Sequence, residues 1–494
     1  MKDGPHPAFD RDGLVAMLSV SLDRAGSQPL VQQLYERLRE LILSERVPAG
    51  TRLPSTRQLS RDLEVSRTVT LDSFGQLAAE GFLETRRGAG HFVAALPLGR
   101  DGPATAIAPS AREELGVGIW SSEGSPFDPA WQGVDLFPAQ AWARMLGRGW
   151  RRHQPSVLER HWAGLPVLRE VVAEHLRALR GLTLSPDQIM ITSGNSDVLA
   201  LIARTVRSNH GGTAAAWVED PGLGTARQAL MTEGLAIVPV PVDNEGLVVA
   251  AGERLASSAA LAVVTPTRQF PLGVPLSLPR RLSLLAWAQR SGAILVDDDY
   301  DGEIRFTGRP LQSLASLDAK ARVLTLGSFS KLTFPGLRLG YAAGPADLIA
   351  ELVARRREAY TLVPTNVQAA LAEFITTGGF ARHLRQLRSH LTRRRRVLHD
   401  AIQARAAGLL EIIPQEVGMH MTVRLDGELA RKAGDVAISE LGRGRGLTLL
   451  PLSPQYDRQP AEQGFLLGYA GWSEQELSAA ADRLAEMLHE VAAR

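Results

Sequence analysis

The sequence predicts an α/β chain in two parts, a small helical module followed by a larger domain built on a mainly parallel sheet. Three observations predict it. From about residue 119 onward, short apolar runs of β type alternate with amphipathic helical stretches, the pattern of a sheet covered by helices. Residues 15–95 are compact, rich in Arg and Leu, and spaced as helices. Between the two, residues 96–118 are rich in Ala, Pro and Gly without sustained apolar periodicity, which predicts a linker. The large domain is expected over 119–494, with a small C-terminal subdomain from about 375.

Bulk properties narrow the function classes. A chain of 494 residues exceeds one ordinary domain. Its 45% hydrophobic and 22% charged composition is that of a globular protein. No apolar stretch is long enough to predict a membrane span, and no apolar core follows the first charges as in a secretory signal. Cysteine is absent, which excludes disulfides, thiolate metal sites and a cysteine nucleophile. That fits a reducing compartment and a cytoplasmic protein. The histidines show no metal-ligand spacing. A net charge of +2 means that any nucleic-acid surface must be local.

In the first module, Pro29 to Ser44 carries Leu30, Leu34, Leu38, Leu41 and Ile42 on one helical face. After a Pro-Gly turn, Ser55 offers an N-cap for a short helix, Thr56 to Leu63. A break at Glu64-Val65-Ser66 precedes a third helix, Arg67 to Gly81, with Val69, Phe74 and Leu77 inward. Two short strands then flank Arg86-Arg87-Gly88-Ala89-Gly90. This order predicts a winged helix-turn-helix. Such a module needs polar and cationic side chains where its recognition helix enters the major groove, and Ser66, Arg67, Thr68 and Thr70 stand there. Arg57 and Arg61 on the preceding helix, and Arg86 and Arg87 on the wing, are placed for phosphates. Nine arginines against eight acidic residues over 29–93 leave a net of only +1, so charge alone does not decide for DNA.

The motifs do. Leu53-Pro54-Ser55-Thr56-Arg57, Val65-Ser66-Arg67-Thr68-Val69, Leu77-Ala78-Ala79-Glu80-Gly81-Phe82-Leu83 and Gly88-Ala89-Gly90-His91-Phe92-Val93 resemble the GntR family of winged helix-turn-helix domains. The resemblance implies DNA contacts from Arg57, Arg67 and the glycine-bearing wing, Gly88 included, on a double-stranded operator.

In the large domain, several β-type runs end in polar residues, and ligands of open α/β sheets gather at strand carboxyl ends. Those ends converge on the needs of pyridoxal 5'-phosphate (PLP): a lysine for its aldehyde, a carboxylate for its pyridine nitrogen, and a cradle for its phosphate. Lys331 is the lysine, with the Ser328 and Ser330 hydroxyls and Arg338 available to a phosphate. Asp298 and Tyr300 are two apart, so on an extended chain both point to one face. Ser193-Gly194-Asn195-Ser196 precedes a helix and forms a second phosphate seat at its N-terminus.

With Trp162-Ala163-Gly164-Leu165-Pro166, Gln269-Phe270-Pro271-Leu272-Gly273, Asp297-Asp298-Asp299-Tyr300-Asp301, Ser328-Phe329-Ser330-Lys331 and Pro335-Gly336-Leu337-Arg338-Leu339-Gly340-Tyr341, the chain resembles the MocR/GabR family over roughly 15–490. That family joins a GntR-type reader to a fold-type I aminotransferase-like domain. The resemblance implies Lys331 as Schiff-base lysine, Asp298 on the pyridine nitrogen, Tyr300 on the ring oxygen and Arg338 on phosphate. It also implies a head-to-tail homodimer. Two positions depart from the aminotransferase pattern: Leu223 stands where an aromatic stacks on the ring, and Leu466 where an arginine takes the substrate carboxylate. Arg268, where the family often has histidine, is a candidate for effector anion binding. Arg393-Arg394-Arg395-Arg396 is expected as a solvated or DNA-facing flank of a helix over 382–404. The expected function is regulation of transcription by a small amine exchanging at the Lys331 aldimine, with at most weak transamination. The alternatives are a working aminotransferase and a sensor of PLP itself.

Overall fold

The computed structural model describes residues 14–15, 22–24, 28–86, 89–95, 124–152, 160–306, 311–318, 321–458 and 460–493. The linker expected over 96–118 and the wing residues Arg87 and Gly88 lie outside the described residues. The chain divides into two compact units, Met1–Leu115 and Gly116–Arg494.

In the first unit, helices occupy Leu30–Leu43, Thr56–Asp62 and Arg67–Ala79. Strand β1 (Leu83–Arg86) pairs antiparallel with β2 (Gly90–Val93), Glu84 facing Phe92. Leu34, Leu38, Leu41 and Ile42 bury the apolar stripe of the first helix against Leu59, Phe74, Leu77, Leu83 and Val93, each such side chain contributing roughly 1.5–3 kcal/mol. Both later helices start on a serine cap. The Ser55 hydroxyl accepts from Gln58 N at 3.2 Å and that of Ser66 from Val69 N at 3.3 Å, satisfying amides that the first turn leaves unpaired.

The second unit is organised by an eight-stranded sheet of order β3-β10-β9-β8-β7-β4-β5-β6. The strands are β3 (Ile189–Thr192), β4 (Ala215–Asp220), β5 (Ala236–Asp243), β6 (Gly246–Leu247), β7 (Leu261–Val264), β8 (Ile294–Asp299), β9 (Val323–Ser328) and β10 (Gly340–Ala343). Strands β5, β4, β7, β8 and β9 run parallel, while β10 runs against both β9 and β3. Residues of β3, β7 and most of β8 and β9 are buried on both faces, which explains their unbroken apolar runs. The register is decisive for the site. Gly340 is the partner of both Ser328 and Thr192, and Asp299 is that of Gly327. The carboxyl ends of β3, β9 and β8 therefore lie level at one edge.

A second sheet, β11-β12-β14-β13, joins β11 (Leu410–Ile412), β12 (His420–Leu425), β13 (Leu450–Pro451) and β14 (Gly464–Gly468). The helix expected over 382–404 runs from Gly379 to Arg405. Its four-arginine run is not a solvated flank. Arg394 is 6% exposed and bonds Asp135 and Ala470 O, while Arg395 donates to Gln415 O and lies over the Phe306 ring. Only Arg393 and Arg396 face outward, each beside an acid. Acceptors from distant segments, which the run itself does not reveal, claim the middle pair.

Candidate functional site

Lys331 sits in the short helix Phe329–Leu332 that follows β9 directly, and the Ser328 hydroxyl caps that turn by accepting from Lys331 N at 3.4 Å. Burial pushes the Lys331 amine below its usual range, against the opposing pull of Asp301 and Asp298, which keeps a larger share of it as the nucleophilic free base. Asp298, on the neighbouring strand, is 3% exposed and accepts from Asn195 Nδ2 at 2.5 Å. Burial and the adjacent Asp297 push its carboxyl up to about 7. A cationic ring nitrogen beside it would supply the charge that this carboxylate lacks.

Gly194 caps the fifteen-residue helix Asn195–Asn209 at φ +111°, so Asn195 and Ser196 present the first amides of a helix N-terminus. A Cβ on Gly194 would stand 3.5 Å from Arg338 Cζ. The guanidinium therefore lies against the helix start, where the positive φ favours glycine, and Arg338 makes no ion pair among the described residues. A positive side chain on a helix N-terminus has the chemistry that suits a phosphate. Ser330 is placed differently from its expected role, because its hydroxyl donates to Leu339 O at 3.2 Å and accepts from Leu339 N at 3.0 Å. It fastens the lysine turn to β10's approach.

Arg268 is the clearest correction. It is 2% exposed, and its terminal nitrogens donate to Tyr300 OH (3.0 Å), Asp301 Oδ2 (2.8 Å), Gln415 Oε1 (2.7 Å) and His420 O (3.0 Å). Four terminal N–H groups with four acceptors leave only Nε–H without a partner among the described residues, so no two-pronged face remains for an effector anion. Gly418, at φ +109°, is required there, since a Cβ would lie 2.5 Å from Arg268 Cζ. Arg268 thus orients Tyr300 rather than binding a ligand. Leu466 is fully buried with Leu272, Ile413 and Leu452, and Leu223 packs half-buried at the start of the helix Gly224–Thr232.

Two residues at the lysine were not visible in the sequence. The buried Gln132 amide, oriented to suit both neighbours, accepts from Lys331 Nζ at 2.9 Å and donates to Ser330 O at 3.2 Å. His420, 7% exposed, sets its ring edge-on to Phe270 at 5.8 Å and buries Nε2 without a partner. Gln132 precedes the first strand of the sheet by more than fifty residues, so no motif could have signalled it.

In the first unit, Arg57, Arg61, Ser66, Arg67 and Thr68 are exposed on the second and third helices. Thr70 is not. It is fully buried, and its hydroxyl donates to Thr56 O and Arg67 O, both at 3.0 Å. One helical turn beyond the entry point the side chain faces the core, which removes it from the DNA-reading set. Arg86 is exposed, pairs with Glu84 at 3.2 Å and lies 4.5 Å over the Phe92 ring. Arg52 forms a bridge with Phe92 beside this wing, a neighbour that sequence spacing had not marked.

Comparison with known proteins agrees with both halves. The family model for bacterial regulatory proteins of the gntR family matches residues 30–93, and that for aminotransferase class I and II matches residues 158–484. A probable rhizopine catabolism regulatory protein, MocR of Rhizobium meliloti, is 35% identical over 91% of this chain and 92% of its own length. The chain belongs to the MocR-type family of transcription regulators. Another similar protein is the pyridoxine biosynthesis regulator PdxR of Corynebacterium glutamicum, 30% identical over 94% of this chain and 97% of its own. Among solved structures, kynurenine aminotransferase of Pyrococcus horikoshii, in complex with PMP, superposes with a TM-score of 0.65 at 26% identity. It covers 74% of this chain and 91% of that one. The large unit of this MocR-type regulator therefore has the fold of PLP-dependent aminotransferases. No helix among the described residues is long and apolar enough to cross a membrane.

Proposed function

We propose that this regulator binds PLP at Lys331 and uses it to sense a small amine, rather than to run transamination. The observation that carries the proposal is the convergence, at level strand ends, of an enclosed amine, a buried carboxyl and a cation on a helix N-terminus, with Leu466 in an apolar cluster nearby. When bound, PLP supplies an aldehyde carbon that a primary amine can capture. Lys331 would hold that carbon. Asp298, bonded to Asn195, would hold the ring nitrogen. Tyr300, oriented by Arg268, would face the ring oxygen, and Arg338 with the amides of Asn195 and Ser196 and the Ser328 hydroxyl would take the phosphate.

Transamination also needs the ligand fixed by its carboxylate and the ring held from beneath, since small misplacement costs orders of magnitude in rate. Leu466 and Leu223 supply neither. A ligand that binds one arrangement of the regulator better than another shifts its DNA affinity without chemistry on the ligand. The test loads wild-type and Lys331→Ala protein with PLP and records visible absorbance and operator affinity with and without added amines. Wild-type protein should show a visible band that amines displace together with a change in operator affinity, and Lys331→Ala should show neither. Rapid stoichiometric amino transfer in a single turnover would make the aminotransferase the better reading. PdxR's name ties that relative to pyridoxine biosynthesis, and an operator affinity that answers to PLP alone would favour a PLP sensor here.

A further inference from the structure

We infer that the amine read at Lys331 carries no carboxylate and is held instead by neutral hydrogen-bonding groups, among them Gln132 and His420. This rests on the proposal that PLP is bound at Lys331, and it names the class of the ligand.

Amino acids entering a buried site need a positive partner for their carboxylate, because an ionised carboxylate taken from water without one is strongly disfavoured. Among the described residues, the cation whose charge acts on Lys331 is Arg268. Arg268 has all four terminal N–H groups occupied and is already neutralised by Asp301. Its remaining Nε is buried without a partner, which leaves no two-pronged face for a carboxylate. Arg395 is held by Gln415 O and the Phe306 ring. Arg338 stands at Gly194 on the helix N-terminus, where the phosphate goes. Leu466 fills its position with hydrocarbon. It faces Thr422 across β14 and β12, and the Thr422 hydroxyl is itself bonded to Pro271 O and Gln415 Nε2.

The groups that remain are neutral. The Gln132 amide reaches Lys331 Nζ, so a ligand that takes the lysine's place meets that amide first. The buried Nε2 of His420 has no partner among the described residues, and burial, then the charges of Arg268 and Lys331, push its imidazole well below its usual range, so it meets a ligand uncharged. An amide and a neutral imidazole suit a hydroxyl or amide on the ligand. Phe270, edge-on to both His420 and Tyr300, adds an apolar wall.

The test uses full-length PLP-loaded protein and matched pairs that differ only in the carboxylate, L-alaninol against L-alanine and ethanolamine against glycine. Each is titrated against the visible band and against operator affinity. Alaninol and ethanolamine should half-saturate both signals at concentrations about tenfold or more below their amino acids, since a site rejects a charged group it cannot pair. Gln132→Ala and His420→Phe should weaken the amino alcohols and leave the amino acids where they were. Leu466→Arg should narrow or reverse the preference, and a melting curve establishes that this variant is folded. Amino acids that bind as tightly as their alcohols overturn the inference while leaving the cofactor proposal standing. A protein with no visible band overturns the cofactor proposal itself, and this inference with it.

Discussion

At the scale of single residues, the site and the DNA face each contain one residue type whose role depends on what its side chain touches. Arg67 and Thr70 lie three apart on the third helix, yet one is exposed and the other fully buried. Arg67→Ala should cost roughly 1–3 kcal/mol on the operator and relax base preference. Thr70→Val should leave base preference unchanged and lower the unfolding midpoint of the module, because Thr56 O and Arg67 O lose their donor. Titration on operator and scrambled duplexes, with a melt of each variant, checks both. Arg268→Leu makes the complementary point in the large unit. It leaves the carboxylate of Asp301, 2% exposed, without its partner, and a broken buried pair costs about 3–5 kcal/mol. Burial already pushes Asp301 up against the pull of Arg268, so in the variant a proton can relieve the charge. Urea unfolding should show the loss in full at pH 8 and a smaller loss at pH 5.

At the scale of elements, the helix Pro166–Arg180 is tied to the segment after β8 by His175 Nε2 and Glu303 Oε1 at 3.0 Å. Burial alone would push the imidazole down, but the Glu303 carboxylate opposes it and wins, so His175 is raised; Glu303 is buried too, yet held low by His175. A raised histidine contributes stability that is complete below its unfolded value, about 6.5, and lost as pH rises through its folded value. The lowered carboxyl contributes above about 4.5 and fades as pH falls through its folded value. The tie is therefore strongest between those limits. The unfolding midpoint should decline as pH rises from 6 to 9, and His175→Gln should flatten that decline. An unchanged slope in the variant would assign the pH dependence to other groups.

At the scale of the whole molecule, the division into two compact units has a thermodynamic consequence. The first unit closes its own core around Leu34, Leu59, Phe74 and Leu77, and the cofactor residues all belong to the second. A ligand stabilises only the state that binds it. Calorimetry should show a transition that climbs with PLP, by about 2.7 kcal/mol at a hundred times its dissociation constant, while the melting of a fragment ending in the linker does not move. Lys331→Ala should lose most of the shift. A fragment that responds to PLP equally would place cofactor affinity outside the Lys331 site.

The sequence by itself determined what short-range physics can write. Apolar spacing of 3.6 and unbroken β runs marked the helices and buried strands, a serine cap marked Ser55, and the residues that follow the strands marked Lys331, Asp298 and Gly194. Tertiary structure decided which groups are still free to act. The commitment of Arg268 to four acceptors, of Ser330 to Leu339 and of Arg394 to Asp135 depends on partners from 9 to 259 positions away. Residue type states only that a donor exists, not that a buried acceptor has already taken it. Thr70 was misplaced for a related reason: an entry point on a helix is read from its first residues, but one turn further on the core decides which way a side chain faces. Gln132 reaches the lysine from the segment ahead of the sheet, and His420, on the second sheet, lies within range of its charge. The level register of β3, β9 and β8 gathers only the strand ends; segments from outside that sheet are invisible to a motif, because a folded chain sums contacts across space while a motif records only neighbours along the chain.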